Sequence, residues 1–253
     1  MKAKGLTEGI LDHLDKLADE TVQPVINKAY DDLAEQQNVF MNAMKMKREV
    51  IGDRAIWVAK KRYMMSVLDN EGVRYAEPKL KTMGLETVRS STPAICREAL
   101  KEAFKIIMTK DVQTLRSFVD NWREKYYNSS FVDIAFPRGI NGIKKYADKG
   151  TIYKPKCPMH VRGALLYNKM IADRRLDGFN PIYDGDKIKF VMMKLPNPIH
   201  ENVLAAHDIL PDDLMAYIDY PLMFQKTFLD PVENVLQVIG WDLKEMASLG
   251  DLF

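Results

Sequence analysis

The sequence predicts an α+β chain that is mainly helical. Apolar residues recur three or four positions apart over residues 6–40 and 92–127, which is the spacing of amphipathic helices. Residues 55–68 are rich in Val, Ile, Trp, Tyr and Met and precede an Asn-Glu-Gly turn at 70–72, which is typical of a β-hairpin. A second turn, Asp-Gly-Asp at 184–186, precedes a strand-like run at 188–195.

Prolines and capping residues indicate where the predicted helices begin or break. Pro24 lies inside the first helical pattern and, because it lacks an amide hydrogen, is expected to break or kink that helix. The next helix should begin at Ser-Thr-Pro, residues 91–93, where a hydroxyl caps the helix and proline suits its first position. Asp111 is expected to cap the following helix, so residues 92–127 should form an antiparallel pair. Further helices are predicted near residues 158–173, 211–227 and 230–239.

The composition is that of an ordinary globular chain, with 253 residues of which 47% are hydrophobic and 28% are charged. This length suffices for one large core or two modest ones without a disulfide or metal. Cys96 and Cys157 do not form a C-x-x-C pair, which favours a reducing compartment. No apolar stretch approaches the ~18 residues of a transmembrane helix, so we expect no membrane partner and no secretion.

Charge is unevenly distributed along the chain. The formal net charge is +2, but residues 41–110 and 111–176 each carry +7, whereas residues 1–40 carry −4 and residues 177–253 carry −8. A basic middle flanked by acidic ends is typical of a protein that binds a polyanion. A solvated basic surface without a partner accounts for the charge equally well.

The densest basic cluster is formed by Lys60, Lys61, Arg62 and Tyr63. The pattern places this cluster within the first strand of the predicted hairpin. Because side chains alternate between the faces of a strand, Lys61 and Tyr63 are expected on one face, with Lys60 and Arg62 on the other. A lysine beside a tyrosine on a rigid strand suits a nucleic-acid groove. The alternative is an edge strand whose exposed lysines prevent aggregation.

A second basic cluster is interleaved with Gly139, Gly142 and Gly150, a composition that suits contact with phosphates. Its members are Lys144, Lys145, Tyr146, Lys149, Lys154, Lys156, His160 and Arg162. The last two lie near a predicted helix start, where backbone amides also favour anions. Cys157 and His160 have no two further ligands nearby, so we do not expect a zinc site.

No motif in the sequence performs catalysis by itself. Patterns for P-loops, dinucleotide binding, zinc proteases and nucleophile elbows are absent, and the histidines are scattered. The chain ends on an apolar triple, Leu249, Leu252 and Phe253, in an acidic tail. This ending suits a short peptide that docks in a partner's hydrophobic pocket, and a turn folded back on its own domain is the alternative.

Five runs of residues occur in order along the chain: K-K-R-Y (60–63), E-G-V-R-Y-A-E-P-K-L-K-T-M-G-L-E-T (71–87), R-S-S-T-P (89–93), K-C-P-M-H-V-R-G (156–163) and A-S-L-G-D-L-F (247–253). Together they resemble the C-terminal part of the T4-like bacteriophage replicative DNA polymerases, which belong to family B. The resemblance covers nearly the whole chain with similar spacing, and is therefore more specific than any single motif.

The resemblance implies three regions: residues 1–87 as the last part of a polymerase palm, with a long helix and a hairpin, residues 88–245 as a helical thumb domain, and residues 246–253 as a clamp-binding peptide. It implies that the K-K-R-Y residues grip primer-template duplex DNA. The residues implied to contact duplex phosphates are Lys145, Tyr146, Lys156, His160 and Arg162. Those implied to bind the sliding clamp are Leu249, Leu252 and Phe253.

Two departures from the family concern the palm. Glu49 matches an auxiliary palm acid, but Lys47 stands where the family carries an acid two residues earlier. The glycine-rich stretch before K-K-R-Y is also shorter here, which implies a shorter approach to the primer strand.

The family's metal-binding S-L-Y-P-type and D-T-D-S-type segments, its nucleotide-binding fingers helix and its exonuclease acids are absent from this sequence. We therefore expect the Mg²⁺ of the assembled polymerase to be held by residues outside this chain, with no metal bound by the chain itself. Because two-metal phosphoryl transfer requires those carboxylates, the chain alone is not expected to polymerise.

The leading hypothesis is a separate C-terminal subunit of a split phage DNA polymerase. Its partners would be primer-template DNA, an N-terminal polymerase chain with exonuclease, palm and fingers, and the sliding clamp, in the cytoplasm of the infected bacterium. The amphipathic helix at residues 6–40 would dock into the partner's palm. A non-catalytic accessory protein that binds DNA and clamp is a second hypothesis, and a truncated piece of a longer polymerase is a third.

Overall fold

The computed structural model describes residues 8–243 and confirms a mixed α+β fold in which 47% of those residues are helical and the sheets are small. The chain forms two compact units, one of Met1–Trp57 with Tyr63–Thr82 and one of Val58–Arg62 with Met83–Phe253. The assignment to palm, thumb and tail, divided at residues 87 and 245, stays a prediction. Within residues 8–243, no helix has both the length and the apolar character needed to cross a bilayer.

The first helical segment consists of α1 (Glu8–Leu17), a π-helical turn (Ala18–Val22) and α2 (Gln23–Gln36). Pro24 does not break this helical segment, which continues through the proline with one π-helical turn directly before it. The amide of Gln23 donates to the carbonyl of Ala18, five residues earlier, and Pro24 falls in the first turn of α2, where no amide donor is needed. Pro24 therefore widens the helix at one turn.

The three-stranded sheet of the first unit has the order β1 (Val50–Ala59), β2 (Arg62–Asn70) and β3 (Val73–Met83). The predicted hairpin turn is confirmed between β2 and β3, where Glu71 and Gly72 have φ angles of 54° and 86°. Both central residues of a type I′ turn need a positive φ, which Gly supplies at little cost.

Asp69 is the buried charge that holds this turn. Its side chain is 0% exposed and accepts hydrogen bonds from the amide of Gly72 (2.9 Å) and from Arg48 (2.7 Å). Arg48 also pairs with Asp15 on α1 at 2.7 Å, and Arg74 on β3 pairs with Asp15 at 3.3 Å. A buried carboxylate needs such partners to remain stable. This network therefore connects α1 to the hairpin within the first unit.

In the second unit, α3 (Ala94–Thr109) and α4 (Val112–Tyr127) form the predicted helical pair. The Asp111 cap is confirmed, because its side chain accepts from the amide of Thr114 at 2.8 Å, and these bonds lower the pKa of Asp111. The prediction that a hydroxyl caps α3 was wrong, because Pro93 itself occupies the N-cap position and no side chain forms a cap hydrogen bond. Thr92 is instead buried.

A short turn of helix, α5 (Phe131–Ile134), leads into an antiparallel sheet with the order β4 (Phe136–Gly139), β7 (Lys187–Met192) and β8 (Val203–Ala206). Between β4 and β7 lie α6 (Ile143–Tyr146), the hairpin of β5 (Ala147–Asp148) and β6 (Ile152–Tyr153), and α7 (Met159–Arg174), which confirms the helix predicted near 158–173. Gly163 brings α7 against β8, since a Cβ at this position would lie 3.0 Å from the amide of Ala205.

The predicted helix over residues 211–227 was wrong. The structure has a short α8 (Asp212–Met215), then α9 (Tyr220–Phe224), which continues through a π-helical turn (Gln225–Leu229) into α10 (Asp230–Ile239). The break occurs because Asp219 caps α9 by accepting from the amide of Leu222 at 3.0 Å. The helix predicted over residues 230–239 is confirmed.

An aromatic core joins α4 to the α9–α10 segment. The rings of Tyr126 and Phe224 lie 5.2 Å apart, and those of Phe224 and Phe228 lie 5.4 Å apart. The Thr227 hydroxyl lies 3.2 Å from that of Tyr126, whose pKa is raised by burial. Pairs of this kind contribute beyond the area that they bury.

Candidate nucleic-acid interface

Lys60 and Lys61 form the two-residue turn between β1 and β2. The strand predicted through this position was therefore wrong, and the alternation that paired Lys61 with Tyr63 on one face does not apply. Lys61 has φ 61°, a region that residues other than Gly and Asn rarely adopt. Both lysines are exposed, and within residues 8–243 neither forms an ion pair.

Arg62 begins β2 and differs from its two neighbours. Its Nη2 atom donates to both oxygens of the Glu86 carboxylate, at 3.0 and 3.1 Å. The Arg62 side chain is only 29% exposed. Arg62 is thus engaged within the protein, whereas the two lysines before it present free ammonium groups.

Tyr63 lies on β2 and belongs to the first unit. The residue is half-buried, so the ring is only partly accessible to a ligand. Its predicted contact with duplex DNA stays a prediction.

The second basic cluster lies on a largely exposed surface of the α6 and β5–β6 region, where five lysines are exposed: Lys144, Lys145, Lys149, Lys154 and Lys156. Its predicted contact with phosphates stays a prediction. The Lys145 ammonium lies 5.3 Å from the centroid of the Tyr146 ring, a cation–π contact. Lys154 donates to the carbonyl of Lys145 at 2.9 Å, so its ammonium is partly satisfied inside the cluster. Several cations can therefore meet an anion here without leaving an internal partner.

Asp148 shapes the tip of this cluster. Its carboxylate accepts from the amides of Gly150 (3.0 Å) and Thr151 (2.9 Å), and these bonds, those of Thr151 first, lower the pKa of Asp148. A signal for this turn was available in the sequence, because Asp followed two residues later by Gly is typical of an Asx turn.

His160 and Arg162 lie in the first turn of α7, as predicted. Burial first, and the charge of Arg138 second, lower the pKa of His160, so its imidazole is uncharged at neutral pH and can offer only a neutral hydrogen bond. Arg162 donates to Asn202 and lies with its guanidinium carbon 5.6 Å from the Tyr153 ring centroid. The helix start therefore offers one positive charge and one neutral donor.

Glu49 does not have the surroundings of a metal ligand. The carboxylate is 59% exposed and pairs with Lys81 at 2.5 Å, and Lys47 is its near neighbour in sequence. In the part of the chain that the structure describes, no three His, Cys, Asp or Glu side chains come close enough to hold an ion. The described residues thus do not fit a Mg²⁺ site.

Sequence reasoning missed Glu86 and Arg138. Arg138 donates to the carbonyl of Ser91 at 2.9 Å and so links β4 to the start of α3. Neither residue lies in a run of charged residues. Their partners are 24 and 47 positions away, and a local sequence pattern does not indicate such distant partners. The predicted clamp-binding residues Leu249, Leu252 and Phe253 lie outside residues 8–243.

Comparison with known proteins shows which proteins this chain is similar to. No protein-family model matches the chain. It is 35% identical over 257 residues to the DNA-directed DNA polymerase of Escherichia phage RB69, and 34% identical over 260 residues to that of Enterobacteria phage T4. Both alignments cover 96% of this chain but only 28% of the polymerase. The resemblance expected from the five sequence runs is confirmed: over nearly its whole length, this chain is a relative of a segment, somewhat more than a quarter long, of the T4-like phage DNA-directed DNA polymerases.

Proposed function

We propose that this chain is the C-terminal subunit of a phage DNA-directed DNA polymerase, a nucleotidyltransferase. Residues 1–87 complete the palm of a partner chain, residues 88–245 form a thumb that grips primer-template duplex DNA, and residues 246–253 tether the enzyme to the sliding clamp. The assembly acts in the cytoplasm of the infected bacterium.

The observation that carries the proposal is the alignment with two polymerases over 96% of this chain. A relationship that extends over 96% of the chain favours a shared role over the reuse of one binding motif. Because the chain matches only 28% of each relative, a complete polymerase of this kind needs a further chain or segment.

The exposed face of the first helical segment supports a partner chain. Leu11 and Ala34 are buried, but the large apolar residues that share the stripe are exposed: Ile10 (42%), Leu17 (44%), Val22 (48%), Val25 (69%) and Leu33 (43%). A monomer rarely leaves a contiguous stripe of this kind in water. We assign its cover to the palm of the partner chain.

The exposed cations support contact with duplex DNA. The Lys60–Lys61 turn and the lysines of the α6 and β5–β6 region lie within the part of the chain that carries the excess of basic residues. Lysines that are free of internal ion pairs can neutralise phosphates and release counterions, which is the main source of affinity for DNA. Contacts to the phosphates position the enzyme and leave base readout to the template.

The partner chain supplies the metal chemistry. In this proposal its carboxylates would hold the Mg²⁺ ions, which would supply the Lewis-acid chemistry of phosphoryl transfer. The present chain contributes the residues that hold and orient the duplex, and Glu49 has no part in metal binding.

Primer extension tests the proposal directly. A primer-template is incubated with Mg²⁺ and nucleotides and with this chain, with the chain that carries the remaining part of the polymerase, or with both. We expect synthesis only in the mixture. If the other chain extends the primer equally well alone, or if the mixture is inert, this chain is instead a non-catalytic accessory that binds DNA and clamp.

A further inference from the structure

The segment that follows β3 contacts the Lys60–Lys61 turn and the residue after it, Arg62. Glu86 lies in a 3₁₀ turn (Glu86–Val88) and binds Arg62 through two hydrogen bonds, as described above. Arg89 also pairs with Glu86, at 3.2 Å, and donates to the carbonyl of Gly84 at 3.1 Å. Glu86 therefore joins the residue next to the turn to the backbone of residues 84–89.

Backbone contact reinforces this arrangement. Gly84 has φ 65°, and a Cβ at this position would lie 2.3 Å from the carbonyl oxygen of Lys61. No side chain fits in that space, so the two backbones touch directly. The Lys60–Lys61 turn is therefore held in one position by two contacts: the backbone of Gly84 against Lys61, and the polar contact between Arg62 and Glu86.

The presence of a carboxylate here is unexpected on electrostatic grounds alone. Glu86 lies beside the densest basic cluster of the chain, where a negative charge weakens attraction to a polyanion. One guanidinium nitrogen of Arg62, Nη2, contacts both oxygens of the Glu86 carboxylate, and the Arg62 side chain is only 29% exposed, so this charged contact holds the guanidinium against the 3₁₀ turn. The geometry favours a role for Glu86 in orientation, at the expense of local charge.

We propose that Glu86 is a positioning residue for duplex binding: it fixes Arg62, and through Arg62 it directs the ammonium groups of Lys60 and Lys61 toward the duplex. Arg62 itself acts inside the protein. This inference rests on the proposed function, because it presupposes that the turn meets DNA.

The first test is the affinity of the full-length chain for a fluorescent primer-template, measured by anisotropy at several salt concentrations. Glu86→Gln removes one negative charge, so a purely electrostatic effect would strengthen binding. We expect about fivefold weaker binding and a salt dependence shallower by about one counterion, because a loosened turn loses about one phosphate contact.

A matched control is Glu98→Gln. Glu98 is 72% exposed on α3 and pairs with Lys101 at 2.8 Å, so its substitution changes the net charge by the same amount and also breaks an ion pair. We expect unchanged or slightly tighter binding. Thermal unfolding of both variants establishes that the folded protein is being compared.

A charge exchange separates positioning from direct contact. Arg62→Glu alone should bind as weakly as Glu86→Gln or more weakly, whereas Arg62→Glu combined with Glu86→Arg restores the pair in reverse and should recover affinity to within about twofold of the parent chain. If Arg62 touched a phosphate, the exchange could not restore binding. Should Glu86→Gln unfold at the assay temperature, the exchange variant decides alone.

The remaining outcomes distinguish this inference from the proposed function. If Lys60→Ala combined with Lys61→Ala weakens binding while Glu86→Gln strengthens it or leaves it unchanged, the role of Glu86 is overturned and the duplex grip stands. If the parent chain does not bind the duplex, or the double lysine variant binds as tightly as the parent, the proposed grip fails and this inference fails with it.

Discussion

The helical segment over residues 8–36 and the α3–α4 pair have the same kind of apolar periodicity but different environments. Eight residues of α3 are buried, including Leu100 and Phe104 at 0% exposure. Along α1 and α2, only Leu11 and Ala34 are buried among the described side chains. Periodicity thus indicates that a helix face requires cover, but it does not indicate which chain provides that cover.

The largest effect that sharpens this comparison is on stability. Phe104→Ala should lower the free energy of unfolding by about 3–5 kcal/mol, because it removes a fully buried ring and leaves a cavity. Val25→Ala on α2, where the side chain is 69% exposed, should change it by no more than about 0.5 kcal/mol. Urea unfolding measures both. Similar losses in the two variants would mean that the stripe of α2 is covered within the chain.

The next effect concerns association with the remaining polymerase chain. Val25→Asp should weaken this association about tenfold, because the new charge would be buried against the partner. The melting temperature of the isolated chain should not change. Asn27→Asp adds the same charge on the exposed polar side of α2 and should have little effect. Equal weakening by both variants would contradict an apolar docking face.

The smallest expected effect is a pH dependence of the stability, and it comes from the buried thiol of Cys96 on α3. Burial raises the pKa of the Cys96 thiol from 9.0 to about 11, so in alkaline solution the unfolded chain loses this proton first. Stability from this group is therefore lost as the pH rises, by about 1 kcal/mol between pH 9 and pH 10.

Urea unfolding at the two pH values isolates this contribution when the parent chain is compared with Cys96→Ala, since other titrating groups cancel in the difference. Cys157→Ala is the control, because Cys157 is only half-buried. An identical pH dependence in the parent chain and Cys96→Ala would show that the thiol is not buried in solution.

Local signals predicted the elements that depend on neighbouring residues. The Asp111 cap, the Glu71–Gly72 turn and the helices near 158–173 and 230–239 each depend on residues within a few positions. The predictions that failed depend on distant partners. The break before α9 also involves a distant strand, since the amide of Asp219 donates to the carbonyl of Met192 at 2.9 Å. The buried position of Thr92 likewise reflects packing, which outweighs local preference.

The same division applies to the candidate interface. The sequence identified the basic clusters, because charge density is read directly from composition. It placed Lys60 and Lys61 in a strand, because lysine is not a turn-forming residue and the left-handed conformation of Lys61 depends on contact with Gly84, 23 positions later. The family resemblance implied that Arg62 contacts DNA, and only the structure shows that it pairs with Glu86, 24 positions later.

The sequence by itself determined the fold class, the relationship to T4-like phage DNA polymerases and the location of the basic residues. These follow from periodicity, ordered motifs and charge, all of which are properties of the linear chain. Only the tertiary structure decided which cations are free and which are held, because an ion pair depends on a distance of a few ångströms between residues far apart in sequence. Tertiary structure likewise decided which apolar face is covered, since burial is a property of the folded surroundings.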